Sequence, residues 1–395
     1  MISSRLVWSL GLSQLILWGI SFYFIGVFGD LIIADTGWSR TIVYGGFSAA
    51  LLAMAAVSMI VGNTVDRIGG RYVMIGGTLV SSASCVALGL TDTIMLYYVA
   101  WVGLGIAMRC TLYDAAFATL VRIGGPAARP AITKITLLGG LASTCFWPIG
   151  LFLADTCGWR DAALIYGGVA LMTVPLHFFI PKIQYQSNET EHMLSTPRPM
   201  KDVARNKLNA ILYAAIMTLG NGLHAGMSAH LISIFMELGL GAVLAVSAAS
   251  LRGVGQSTAR LFELFFGSRI HPIDLNMIAT LITPLCFVFL LSSGGYLAAA
   301  VMFSFVYGGT VGLLTITRGT LPLVLFDYET YGSIVGKLLI PSFIASAAAP
   351  AAFAIIIENY GSNVAIQIAI AIGFIMLAAS LYLRINWKLG SRTQI

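Results

Sequence analysis

Long apolar runs separated by short polar breaks recur along the whole chain of 395 residues. Leu6 to Phe28, Thr41 to Val61, Tyr72 to Leu90, Ile94 to Leu120, Ile132 to Leu153 and Ala162 to Ile180 fill the first half. The runs resume at Leu208 to Met236, Val243 to Phe266, Ile273 to Leu291, Tyr296 to Leu325, Ser333 to Ile357 and Val364 to Leu383. A bilayer crossing takes about 20 apolar residues as a helix, the form in which one segment satisfies its own backbone in hydrocarbon. The pattern therefore predicts an all-α membrane protein with about twelve transmembrane helices. Pro181 to Lys207 is the long hydrophilic connection, carrying Glu189, Glu191, Arg198, Lys201 and Arg205. It divides the expected fold into a six-helix bundle over 1–180, a cytoplasmic linker over 181–207 and a second six-helix bundle over 208–395.

Composition strengthens this picture. Charged residues make up 10% of the chain and hydrophobic residues 58%, whereas soluble domains carry about 25% charged residues. No soluble domain of useful size is left over. The 42 glycines suit membrane helices, where small residues let backbones approach closely. The net charge of +6 is scattered between apolar runs instead of forming a patch, so no nucleic-acid partner is expected; the partner surface is the lipid bilayer. The start of the chain, Met1 to Arg5 before an apolar stretch, resembles a signal peptide but lacks a cleavage site, so it reads as the first span.

Lys and Arg positions set the orientation. Arg40 and Arg160 fall in expected external loops, Arg109, Arg252, Arg260 and Arg318 fall within spans, and the other sixteen of the 22 collect on the opposite side. Both termini are expected in the cytoplasm and the protein in the inner (plasma) membrane. Cys85, Cys110, Cys145, Cys157 and Cys286 show no metal-ligand or disulfide spacing.

Between the second and third runs stands Gly62-Asn63-Thr64-Val65-Asp66-Arg67-Ile68-Gly69-Gly70-Arg71, the pattern G-x-x-x-D-R-x-G-x-R. Gly62 permits close helix packing, Gly69 or Gly70 a tight turn, and Asp66 can accept hydrogen bonds from a helix N-terminus of the other half. This loop resembles the signature of the major facilitator superfamily. Gly37-Trp38-Ser39-Arg40, Gly103-Leu104-Gly105 and Gly158-Trp159-Arg160-Asp161 give a pattern similar to the branch with monocarboxylate and oxalate transporters. The resemblance implies the major facilitator fold, two pseudo-symmetric bundles of inverted three-helix repeats. It also implies rocker-switch alternating access with a midplane site, and a charge relay between Asp114 and Arg71. Gly62, Asp66, Arg67, Gly69, Arg71 and Asp114 are accordingly the expected gating residues.

Ionisable groups inside a membrane are costly and mark sites. Arg252, Gln256 and Arg260 follow at spacings of four on one stripe, continued by Glu263. Arg252 could bind a carboxylate through its fork of donors; Arg260 and Glu263 could instead form an internal pair or gate. Arg109 is either a cavity cation or a packing residue. Asn221 and His224 share a face, and His224 could bind substrate, carry a coupling proton, or sit neutral against a carbonyl. Tyr23 is a candidate cavity aromatic, with Tyr113 and Tyr307 ranked beside it. Arg318 is expected to gate with Asp327 or Glu329, and His177 and His271 to lie at the interface.

No nucleotide loop and no clustered nucleophile or metal set is present in the sequence, so neither an ATP-driven pump nor an enzyme is expected, and no cofactor or metal. The expectation is a monomeric secondary transporter for a small-molecule substrate, a small organic solute of anionic character. Efflux of a toxic drug or a metalloid such as arsenite is the alternative, and a non-transporting receptor a remoter one.

Overall fold

The computed structural model describes residues 2–185, 203–266, 269–292 and 296–392. Most of the hydrophilic connection at 181–207 lies outside the described residues, as do Gly267 and Ser268. Among the described residues the regular elements are all helical. Large apolar side chains are openly exposed, among them Trp8, Ile60, Met95, Phe152 and Phe265, as expected where hydrocarbon is the solvent. Eight helical stretches are long and apolar enough to cross a membrane, and one of them, Ile94–Phe178, runs 85 residues through several bends.

By proximity the chain divides into two compact units, Met1–Gln186 with Tyr328–Ile340, and Ser187–Asp327 with Pro341–Ile395.

The first unit contains α1 (Ser4–Leu17), α2 (Phe24–Thr36), α3 (Arg40–Ile68), α4 (Gly70–Gly89), α5 (Ile94–Thr111), α6 (Tyr113–Gly124), α7 (Arg129–Gly140), α8 (Ala142–Leu171) and α9 (Val174–Phe178). A π-helical segment, Trp18–Phe22, joins α1 to α2, so the first apolar run is one rod with a bulge. The fourth run breaks at Leu112, whose backbone is extended at φ −80° and ψ −168°. Neither Gly nor Pro accounts for that break. The carbonyl of Thr111, freed by it, accepts from Nε2 of Gln14 on α1 at 2.7 Å, and Gln14 is fully buried. A neighbouring side chain thus restores the hydrogen bond that the helix loses. Arg109 and Asp114 therefore belong to different helices.

The Gly-Trp motifs fasten the C-terminal end of α2. Gly37 closes α2 at φ 68°, and Ser39 caps α3 by accepting from the Ile42 amide at 3.3 Å. Arg40 pairs with Asp30 at 2.7 Å. Gly158 (φ 83°) breaks α8, after which Nε1 of Trp159 and Nε of Arg160 both donate to Asp35 at 3.0 Å. Gly105 does a different job, bringing α5 so close to α3 that an added Cβ would strike the Ala50 backbone.

The second unit contains α10 (Val203–Glu237), α11 (Ala242–Phe266), α12 (Pro272–Ser292) and α13 (Leu297–Leu325). After α14 (Tyr331–Leu338), which belongs with the first unit, the second unit resumes with α15 (Ile340–Tyr360) and α16 (Ser362–Arg392). The eleventh run is split because Pro341 has no amide to offer the Lys337 carbonyl. Packing in this unit centres on α13, which lies against α11 and α12, while α16 covers α12 and α10. Gly255 and Gly308 make the α11–α13 contact possible: a Cβ on either would collide with the backbone of Phe305 or Arg252. Phe287, Phe303 and Tyr307 fill the adjoining core with rings 5.0 to 5.4 Å apart.

Candidate functional site

Two constellations of polar side chains stand out, one in each unit. In the first, α3 ends at the loop motif and presents Asp66 to the start of α14. Oδ1 of Asp66 accepts from the Gly332 amide at 2.9 Å and Oδ2 from the Ser333 amide at 2.6 Å. First-turn amides have no partner within their helix, and the helix dipole favours a negative charge there. Gly62 lies one turn earlier, where an added Cβ would run into the Gly332 carbonyl. The contact anticipated for the loop motif is thus present: Asp66 accepts from the first amides of α14 and Gly62 lets the two helices approach.

Four further hydrogen bonds surround it. Nε of Arg109 donates to Oγ of Ser58 at 2.9 Å, and that hydroxyl donates to the Gly336 carbonyl at 2.6 Å. Arg109 is only 2% exposed, so the geometry favours its packing reading over the cavity reading. Arg122 of α6 donates to the Asp66 carbonyl and, at 3.4 Å, to that of Arg67, capping α3 at its C-terminus. Sequence reasoning missed Arg122 because a basic residue in that loop already had a topogenic explanation. Gly69 makes the turn at φ 87°, and Arg67 is exposed.

Other expectations about this unit need correction. Nε of Arg71 donates to the Ile180 carbonyl at 2.5 Å, so that edge of its guanidinium does not serve a relay with Asp114; Asp114 itself is buried in the first turn of α6. His177 is fully buried rather than interfacial, with Nδ1 3.3 Å from the Thr78 hydroxyl. Tyr23 is half-buried at the end of the π segment, among the rings of Trp18, Phe22 and Trp147.

In the second unit, α10, α11 and α13 bring polar groups together inside an apolar setting. Nη1 of Arg252 donates to Oγ of Ser228 at 2.9 Å. His224, one turn before Ser228, has both Arg252 and Arg260 as electrostatic neighbours. Its Nδ1 is enclosed without a hydrogen-bond partner among the described residues. The hydroxyl of Tyr307, close enough to Arg252 to interact with it electrostatically, is likewise buried without a partner. Arg260 is 2% exposed, and its Nε and Nη1 find no acceptor among the described residues. The expected pair with buried Glu263 is not made through those two atoms. Gln256 is half-buried between the arginines on α11.

Asn221 turns elsewhere, donating from Nδ2 to Oγ of Ser342 at 2.5 Å, and His230 meets the Pro350 carbonyl at 2.8 Å. Arg318 lies over the Phe343 ring at 5.4 Å.

The sequence profile of the Major Facilitator Superfamily matches residues 10–336. This chain belongs to that superfamily. The transporter shares its fold with the human organic anion transporter MFSD10 (TETRAN), at a TM-score of 0.73 and 15% identity over 95% of this chain and 99% of that one. The proton:xylose symporter XylE bound to 6-bromo-6-deoxy-D-glucose gives a TM-score of 0.74 and 13% identity over 97% of this chain and 96% of that one. At such identities the likeness is one of fold. No curated protein matches the chain by sequence. Membership makes this a multi-pass membrane protein of the secondary-transporter class, and its polar clusters are to be read as transport machinery rather than as a catalytic centre.

Proposed function

We propose that the transporter carries a small organic anion, with the α10–α11–α13 cluster as its binding site. The observation that supports this reading is a set of enclosed polar atoms that have no hydrogen-bond partner among the described residues: Nε and Nη1 of Arg260, the Tyr307 hydroxyl and His224 Nδ1. Leaving two donors of a buried guanidinium without acceptors is unfavourable, and a carboxylate supplies what an arginine fork accommodates best. Arg252, held by Ser228, is the primary anchor, with Gln256 supporting it and His224 as the candidate carrier of a coupling proton. Asn221 and Tyr23 are assigned more distant roles in lining the solute path. The Gly-Trp motifs support assignment to a branch similar to the monocarboxylate and oxalate carriers.

Arg109 is assigned to the latch with Asp66, Gly62 and Arg122, and Arg67, Gly69 and Arg71 complete the loop. Asp114, Glu263 and Arg318 are assigned to conformational coupling. Transport proceeds by rocker-switch alternating access of two pseudo-symmetric six-helix halves, with a cytoplasmic linker between them and both termini in the cytoplasm of an inner-membrane monomer. The test is Arg252→Gln in proteoliposomes. Uptake and binding of organic acids are expected to vanish while expression and monodispersity persist; unchanged uptake kinetics would reject the assignment.

A further inference from the structure

Arg260 is hard to explain as a purely structural residue. It sits on α11 two turns and more beyond Arg252, at a rise of about 12 Å for eight residues, yet His224 feels the charge of both. Both arginines thus act electrostatically on His224 from different heights along the helix. Arg252 has a local partner in Ser228. Arg260 keeps two N–H donors without acceptors in a setting that is 98% shielded from solvent, its exposure being 2%. Glu263, one turn further on and buried, leaves those two donors unused. Pairing one carboxylate with Arg252 would leave this second fork still unsatisfied.

Resting on the organic-anion reading above, we infer that Arg260 is a second anion subsite and that the substrate is a dianion with its two charges on separate carboxylates. One carboxylate is held at Arg252 and the other accepts from Nε and Nη1 of Arg260, with His224 and Tyr307 as further polar neighbours. A single tetrahedral oxyanion presents its charge at one point and would satisfy one guanidinium. A chain of several carbons lets each fork meet its own planar carboxylate.

The experiment measures binding to the purified, detergent-solubilised full chain by calorimetry, using acetate, butyrate, oxalate, succinate, glutarate and sulfate. Wild-type protein is expected to bind succinate or glutarate about tenfold to a hundredfold more tightly than butyrate, the range for one added charge-assisted contact. Arg260→Gln should lower dicarboxylate affinity to about the level of butyrate and lower butyrate affinity far less. Arg260→Lys, which retains the buried charge and guards against misfolding, should fall between the two. Arg252→Gln should abolish binding of every acid.

Equal wild-type affinity for butyrate and succinate overturns the second subsite while leaving the organic-anion reading intact. So does an Arg260→Gln effect that is the same for both acids, or tightest binding of sulfate. If no carboxylate binds at all, the organic-anion reading itself has failed.

Discussion

Replacing Asp66 with alanine removes the acceptor of two amides at once. The Gly332 and Ser333 bonds, at 2.9 and 2.6 Å, are both made to a charged group, for which about 1.5–3 kcal/mol each is typical. The helix-dipole contribution adds up to about 1 kcal/mol. Asp66 is half-buried, so water recovers part of both when the carboxylate is gone, and a net loss of about 2–3 kcal/mol is expected. At about 1.4 kcal/mol per decade, the balance between docked and released α14 shifts by about 30- to 150-fold. Hydrogen–deuterium exchange over Tyr331–Leu338 reads that shift directly, since protection reports the free energy of local opening. Exchange there should accelerate by the same factor in Asp66→Ala, while Pro272–Ser292 of α12 serves as an unchanged reference. Asp66→Asn keeps one acceptor oxygen and should fall between. Transport should lose turnover more than affinity. Acceleration of less than about threefold in a folded Asp66→Ala protein would refute the argument that these two bonds hold α14 in place.

Gly62→Ala is expected to mimic the Asp66 variant, because its methyl would meet the Gly332 carbonyl; exchange over α14 as slow as in the parent protein would contradict the packing argument. Gln14→Leu leaves the Thr111 carbonyl without its donor and should cost about 1–3 kcal/mol, visible as a lower melting temperature in detergent. A neutral result would mean that another group takes over that carbonyl. Asp35→Asn weakens an ion pair whose partners are 33% and 46% exposed. A loss of only about 0.2–1 kcal/mol is expected, and a double-mutant cycle with Arg160→Met measures it.

Hydropathy made the helical rods legible because hydrocarbon imposes one requirement on every crossing, a continuous apolar helix. It could not reveal the break at Leu112, since Met108 to Leu112 is as plausible a helix as its surroundings and the compensation comes from Gln14, nearly a hundred residues earlier. Asp66 was readable because its position in G-x-x-x-D-R confines it to a helix end beside a glycine. Arg122 was not, although it caps the same helix, because loop arginines already had a sufficient cause in membrane orientation. Span position made His177 look interfacial; Thr78, which neighbours its ring, is contributed by α4. Arg252 and Arg260 were legible as a stripe, whereas only the coordinates could separate the anchored guanidinium of Arg252 from the unused donors of Arg260.

The split of the eleventh apolar run ties these details to mechanism. Its first eight helical residues are fastened by Asp66 at their N-terminus and by Ser58, itself braced by Arg109, at Gly336. Beyond Ile340 the same run belongs to the second unit, and Pro341 withholds the hydrogen bond that would make the two pieces one rigid helix. A continuous helix would force any release of α14 to carry the whole run with it. An interrupted one lets the first-unit contacts be made or broken while α15 keeps its own packing, as Asn221 does with Ser342. In the alternating-access reading proposed above, latch and hinge are thus adjacent in sequence, and contacts worth about a few kcal/mol are of the size that substrate binding can offset.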